Sequence, residues 1–140
     1  MKRLCRKRIL IPLFSAGLLF LLLKFVFLLG YVPSDSMEPS LSSGSYILGC
    51  RIYGELERGD IIIFRHDGQT LVKRIAGLPG DTAAVHIDAS DFSDEELQKV
   101  PEHCYYVLGD NAEDSYDSRY WDDPFIRNVD ILAVLWLPCI

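Results

Sequence analysis

Residues 9–31 read ILIPLFSAGLLFLLLKFVFLLGY, and the way this run is read divides the rest of the chain. As a helix it extends about 34 Å at 1.5 Å per residue, enough for a hydrocarbon core of about 30 Å. Arg6, Lys7 and Arg8 precede it and no basic cluster follows. Basic flanks stay cytoplasmic, so the expectation is a cytoplasmic N-terminus and an extracytoplasmic remainder. A cleaved export signal has a shorter apolar region, about 7–15 residues, ending in small side chains. This run leaves through Leu28, Leu29, Gly30, Tyr31 and Val32 instead. The expected organisation is a basic tail and transmembrane anchor over 1–33, followed by one domain over 34–140. Lys24 is expected to snorkel toward the outer interface; its alternative is contact with a partner membrane helix or the translocon.

Charge agrees with that division. Residues 1–33 hold six basic side chains and no acidic one, while 34–140 hold eight basic against twenty acidic, a net of −12. An acidic folded part repels phosphate, which argues against nucleic acid as a partner. The lipid bilayer is the partner the first segment implies.

The second segment reads as mostly β. Short apolar runs at Tyr46–Leu48, Ile61–Phe64, Leu71–Ile75, Ala84–Ile87, Tyr105–Leu108 and Ile131–Leu137 alternate with Gly-, Asp- and Pro-rich turns. The last of these, ILAVLWL, is too short to span a bilayer and is expected to be a core strand; shallow lipid contact through Trp136 is the alternative. One helix is expected over Ser93–Lys99, where Ser93 and Glu96 have capping-box spacing and Pro101 follows. Cys50, Cys104 and Cys139 are an odd number on the outer side, and their pairing stays open. No spacing suggests a metal site or a cofactor, and the acidic loop 109–119 fits no calcium hand. Arg58-Gly59-Asp60 opens a strand and is expected to be structural.

Ser36 lies in Pro33-Ser34-Asp35-Ser36-Met37-Glu38-Pro39, just past the expected anchor. Of the candidate bases His66, His86, His103 and Lys73, the lysine has the best physical case. Alternation along Leu71-Val72-Lys73-Arg74-Ile75 puts Lys73 between two large apolar neighbours and gives Arg74 the other face, here expected to be solvent. Burial disfavours the ammonium form, and a neutral lysine is a competent base for a serine nucleophile.

Four segments in order, S-D-S-M-E-P-S-L, R-G-D-I-I-I-F, V-K-R-I-A-G-L-P-G-D and G-D-N-A-E-D-S-Y-D-S-R, together resemble the bacterial type I signal peptidases, the S26 Ser–Lys serine peptidases. The resemblance covers about residues 31–121. It implies a signal-peptidase-like β domain behind a single anchor in the bacterial cytoplasmic membrane. It implies Ser36 as nucleophile and Lys73 as general base. Ser34 and the Ser36 N–H would form the oxyanion hole, and Ser115 would orient the lysine. Asp117 and Arg119 would form a structural ion pair, and Val32, Pro33 and Met37 would line pockets for small side chains. The implied substrates are secretory preproteins with small residues at the cleavage site. Dedicated peptidases of conjugative transfer, which mature pilin precursors, are an equally compatible variant. A tethered accessory protein without activity is the rival from another class.

The match departs from the family after Arg119, where Tyr120-Trp121-Asp122-Asp123-Pro124 lacks the usual glycine. A second glycine is missing near Ile131-Leu132-Ala133. Only 27 residues separate Asp81 from Gly109, a minimal form. Ala112 replaces a common arginine and is expected to remove a loop contact.

Overall fold

The computed structural model describes residues 2–88 and 91–139, with side chains described over 10–85 and 96–136. Helix α1 spans Lys2–Val26. Among the described residues no helix is long and apolar enough to cross a membrane. The described α1 side chains are nonetheless mostly apolar and exposed, Phe14 and Phe20 among them.

The expected helix over 9–31 ends five residues early. Phe27–Tyr31 is strand β1, paired antiparallel with β2 (Tyr46–Cys50) in the register Phe27↔Cys50 to Tyr31↔Tyr46. The Arg51 N–H donates to the Val26 carbonyl at 2.7 Å, so the helix end meets a partner from the sheet and not a further helical turn. An apolar run can continue a helix or join a sheet, and β2 supplies the ladder that selects the sheet.

The remaining strands are β3 (Ile61–His66), β4 (Gln69–Gly77), β5 (Thr82–Asp88), β6 (Asp91–Lys99), β7 (Cys104–Leu108), β8 (Phe125–Arg127) and β9 (Ile131–Cys139). Seven form one antiparallel sheet in the order β1-β2-β9-β3-β4-β7-β8, and β5-β6 form a separate hairpin. Strand β3 is buried on both faces, which explains its unbroken apolar run. Ile62 and Phe64 join a cluster with Ile75, Val107, Trp121 and Ile126, while Ile63 joins Val32, Met37, Leu41, Ile47 and Ala133.

The helix expected over Ser93–Lys99 is strand β6. It pairs with β5 from Thr82↔Lys99 to Asp88↔Asp91. Leu97 is 74% exposed, so a helix here would have had little apolar face to bury, and the hairpin ladder outweighs the local capping signal. Cys50 and Cys104 are free thiols, and the side chain of Cys139 lies outside those described.

Candidate active site

Ser36 sits in the short 3-10 turn Asp35–Met37, which follows β1 after the buried Val32. Met37, 1% exposed, pins that turn into the core. The leading N–H groups of such a turn have no helical acceptor, and this leaves the Ser36 amide able to donate elsewhere. Ser34 Oγ lies 3.4 Å from Ser36 Oγ.

Lys73, on β4, is 4% exposed. Its cross-strand partner is Ile62, and Leu71 and Ile75 on the same face belong to the Ile62 cluster. Among the described residues its side chain bonds Ser115 Oγ at 2.9 Å, and Ser115 Oγ is 2.6 Å from Asp117 Oδ2. A carboxylate can only accept, so the Ser115 proton is committed to Asp117 and the amine must donate to Ser115. A neutral amine held this way keeps its lone pair for another partner. Burial lowers the Lys73 pKa; Asp117 and Asp110 oppose that fall, while Arg119 adds to it.

Asp117 is fully buried. Burial pushes its carboxyl up, but Arg119, the Gly109 N–H and the Ser115 hydroxyl outweigh it, and the net shift is downward. Arg119 binds it through Nε to Oδ1 at 2.9 Å and Nη2 to Oδ2 at 3.0 Å, and the Gly109 N–H donates to Oδ2 at 2.9 Å. Arg119 also donates to the Ala112 carbonyl at 3.3 Å, so this loop is held through its backbone at the position where an arginine is common.

Gly109 brings the acidic loop against the nucleophile. A Cβ there would collide with the Ser115 side chain and come within 2.5 Å of the Ser36 carbonyl. The Asn111 N–H donates to that same carbonyl at 3.1 Å.

Arg74 lies on a face that is only partly open to solvent. Its guanidinium binds Asp110 in two places (Nε to Oδ1 at 2.7 Å, Nη2 to Oδ2 at 2.6 Å), and also reaches the Gly59 carbonyl and Ser40 Oγ. One residue thereby ties β4 to the acidic loop, to the turn before β3 and to the loop after Ser36. The residues before β3 are structural in the same way: Arg58 bonds the Ala76 carbonyl and, at 2.7 Å, Asp81.

Ser34, Ser36 and Lys73 line one cleft of about 290 Å³, together with Val32, Pro33 and Met37. No hydrogen bond joins Ser36 to Lys73 among the described residues. Five consecutive residues of β4, Gln69–Lys73, border the cleft. Strand faces alternate, so five in a row means that the strand's edge is exposed there. Strand β7 pairs with β4 only from Arg74 onward, leaving that edge open. Asp114 and Tyr116 complete the rim. Sequence reasoning missed Arg74, Asp110, Gly109 and this open edge; the Lys-Arg pair and the Gly-Asp-Asn turn were the available signals. His66 instead stacks on Trp121 with ring centroids 4.0 Å apart, and His103 occupies a turn at φ 61°. The side chain of His86 lies outside those described.

The family model described as signal peptidase, peptidase S26, matches residues 5–92 and 86–138. The chain belongs to this family. It is similar to the probable signal peptidase I-2 of Synechocystis sp., at 36% identity over 119 residues, covering 65% of this chain and 54% of that protein. Signal peptidase I of Pseudomonas fluorescens is 28% identical over 166 residues, covering 74% and 58%. Signal peptidase I S of Bacillus subtilis is 30% identical over 131 residues, covering 73% and 71%. The chain thus spans little more than half the length of the first two of these S26 relatives.

Proposed function

We propose that this S26 family member is a membrane-anchored serine endopeptidase that removes signal peptides from translocated preproteins. The observation that carries the reading is the buried Lys73, whose amine donates to a Ser115 hydroxyl that Asp117 has already claimed, in a cleft shared with Ser36. In this reading neutral Lys73 takes the Ser36 proton as Oγ bonds to the scissile carbonyl carbon. The oxyanion is met by the Ser36 N–H and by Ser34. Lys73 then gives its proton to the departing amine as the C–N bond breaks, leaving an acyl-enzyme. Water loses a proton to Lys73, attacks the ester and releases the product acid, and Ser36 recovers its proton.

Val32, Pro33 and Met37 bound a shallow cleft that suits small substrate side chains, and the open β4 edge suits an extended chain adding as a strand. The exposed apolar side chains of α1 and its basic start support a single membrane pass with a cytoplasmic N-terminus, the catalytic domain lying outside. Ser36 then lies ten residues beyond the helix end at Val26, near the membrane surface, where a translocated preprotein presents its cleavage site.

The test is cleavage by the detergent-solubilised full chain of a secretory preprotein with an A-x-A site and, separately, of a pilin-type precursor. Cleavage of the general preprotein that is lost in Ser36→Ala supports the reading. Cleavage of the pilin precursor alone narrows it to a dedicated enzyme. Folded protein that cuts neither contradicts it and favours an accessory role.

A further inference from the structure

A second groove, of about 470 Å³, continues from the cleft. The two share Tyr31, Thr70 and Val72. Its floor is apolar, with Ile47, Ile63 and Val72 from one face of the sheet, and among the described residues its charged lining is Arg51 and Arg65. Neither arginine pairs with a carboxylate among the described residues. In a domain of net charge −12, two unpaired cations in one groove mark a site for an anion.

The register locates that site relative to the chemistry. Arg65 lies opposite Thr70, three residues from Lys73 on β4. At about 3.3 Å per residue this is roughly 10 Å along an extended chain. The other wall is the edge of β1, Leu28–Tyr31, which follows directly from α1. If α1 is the anchor, the groove lies on the membrane-proximal side of Ser36, the side from which a signal segment arrives.

Resting on the proposed peptidase activity, in which this groove takes the substrate segment upstream of the A-x-A site, we infer that Arg51 and Arg65 select an acidic side chain four to six residues before the scissile bond. The shared lining residues favour a peptide occupant over a lipid headgroup.

The experiment compares otherwise identical fluorogenic A-x-A peptides in neutral detergent, with Asp, Gln or Lys placed in turn at the fourth to sixth position before the scissile bond. The detergent-solubilised full chain is compared with Arg51→Gln/Arg65→Gln. At one or more positions the wild type should favour Asp over Lys by about tenfold in kcat/KM, a size ordinary for facing charges in a partly shielded groove. The double variant should reduce this to less than about twofold, and about 1 M salt should erase it in the wild type. Cleavage with no such preference, or a preference that survives the double variant, overturns the inference and leaves the peptidase reading intact. So does a double variant that keeps wild-type peptide ratios but loses binding to anionic phospholipid vesicles, which reassigns the arginines to headgroups. The same peptides are titrated onto Ser36→Ala by fluorescence anisotropy. An arginine-dependent Asp preference in binding without any wild-type cleavage supports the groove and contradicts the peptidase. Neither cleavage nor binding overturns both.

Discussion

Lys73 donates to Ser115 across 2.9 Å, and it has to be the donor, because the Ser115 proton already belongs to Asp117. Ser115→Ala removes the acceptor while leaving Lys73 buried. The amine would lose its fixed orientation, and kcat should fall by about 10²-fold, within the range that a positioned general base contributes. Peptide cleavage measured beside a circular dichroism melt checks this. A large activity loss with a near-normal melt is expected, since a small side chain has been shortened by one atom.

Because burial lowers the Lys73 pKa, kcat/KM should rise with pH along a limb whose midpoint lies below the ordinary lysine value of 10.5. Asp117 opposes this lowering. Asp117→Asn removes the opposing charge and leaves the Arg119 cation in place, so the limb should move to lower pH even as the maximal rate falls. A pH–rate profile of both proteins measures the shift.

The same carboxylate makes stability depend on acid. Its folded-state pKa lies below the ordinary 3.8, so its contribution is complete above 3.8 and is lost as pH falls through the folded value. Thermal melts across that acid range should fall more steeply for the wild type than for Asp117→Asn.

Gly109→Ala sets a methyl group against the Ser115 side chain and the Ser36 carbonyl together. Backbone and side chain would have to part, costing about 1–3 kcal/mol as overpacking does. Urea unfolding should show that loss, and peptide cleavage should fall far more than the stability change explains, because the displaced groups are those that position the lysine and the serine.

Arg74→Gln removes the guanidinium that Asp110 binds in two places. The pair is partly solvent-screened, with 34% and 14% of the two side chains exposed, so a cost of about 1–2 kcal/mol is expected, less than for a fully buried pair. The accompanying Asp110→Asn change should recover part of it in a double-mutant cycle by removing the unpaired charge.

Local pattern carried some of this structure and missed some of it for identifiable reasons. Period-two alternation is a backbone property, so the burial of Lys73 between Leu71 and Ile75 was readable from five residues. The same alternation assigned Arg74 to the opposite face but says nothing of what covers that face; its partner Asp110 is 36 residues away. The boundary between Val26 and Phe27 was hidden because an apolar run suits a helix and a sheet equally, and only pairing with Tyr46–Cys50 separates them. At Ser93–Lys99 a capping signal worth about 1 kcal/mol competes with a whole hairpin ladder. The meeting of Ser36, Lys73 and Ser115 came from resemblance to a family, since no local rule links loops so far apart in sequence.

The most direct test of the account is the single-turnover cleavage rate of one A-x-A peptide by the full chain and by Lys73→Ala at the same pH. If Lys73 is the base, the variant's rate should drop by about 10²- to 10⁴-fold with the fold intact. A folded Lys73→Ala protein that cleaves at the wild-type rate would contradict it.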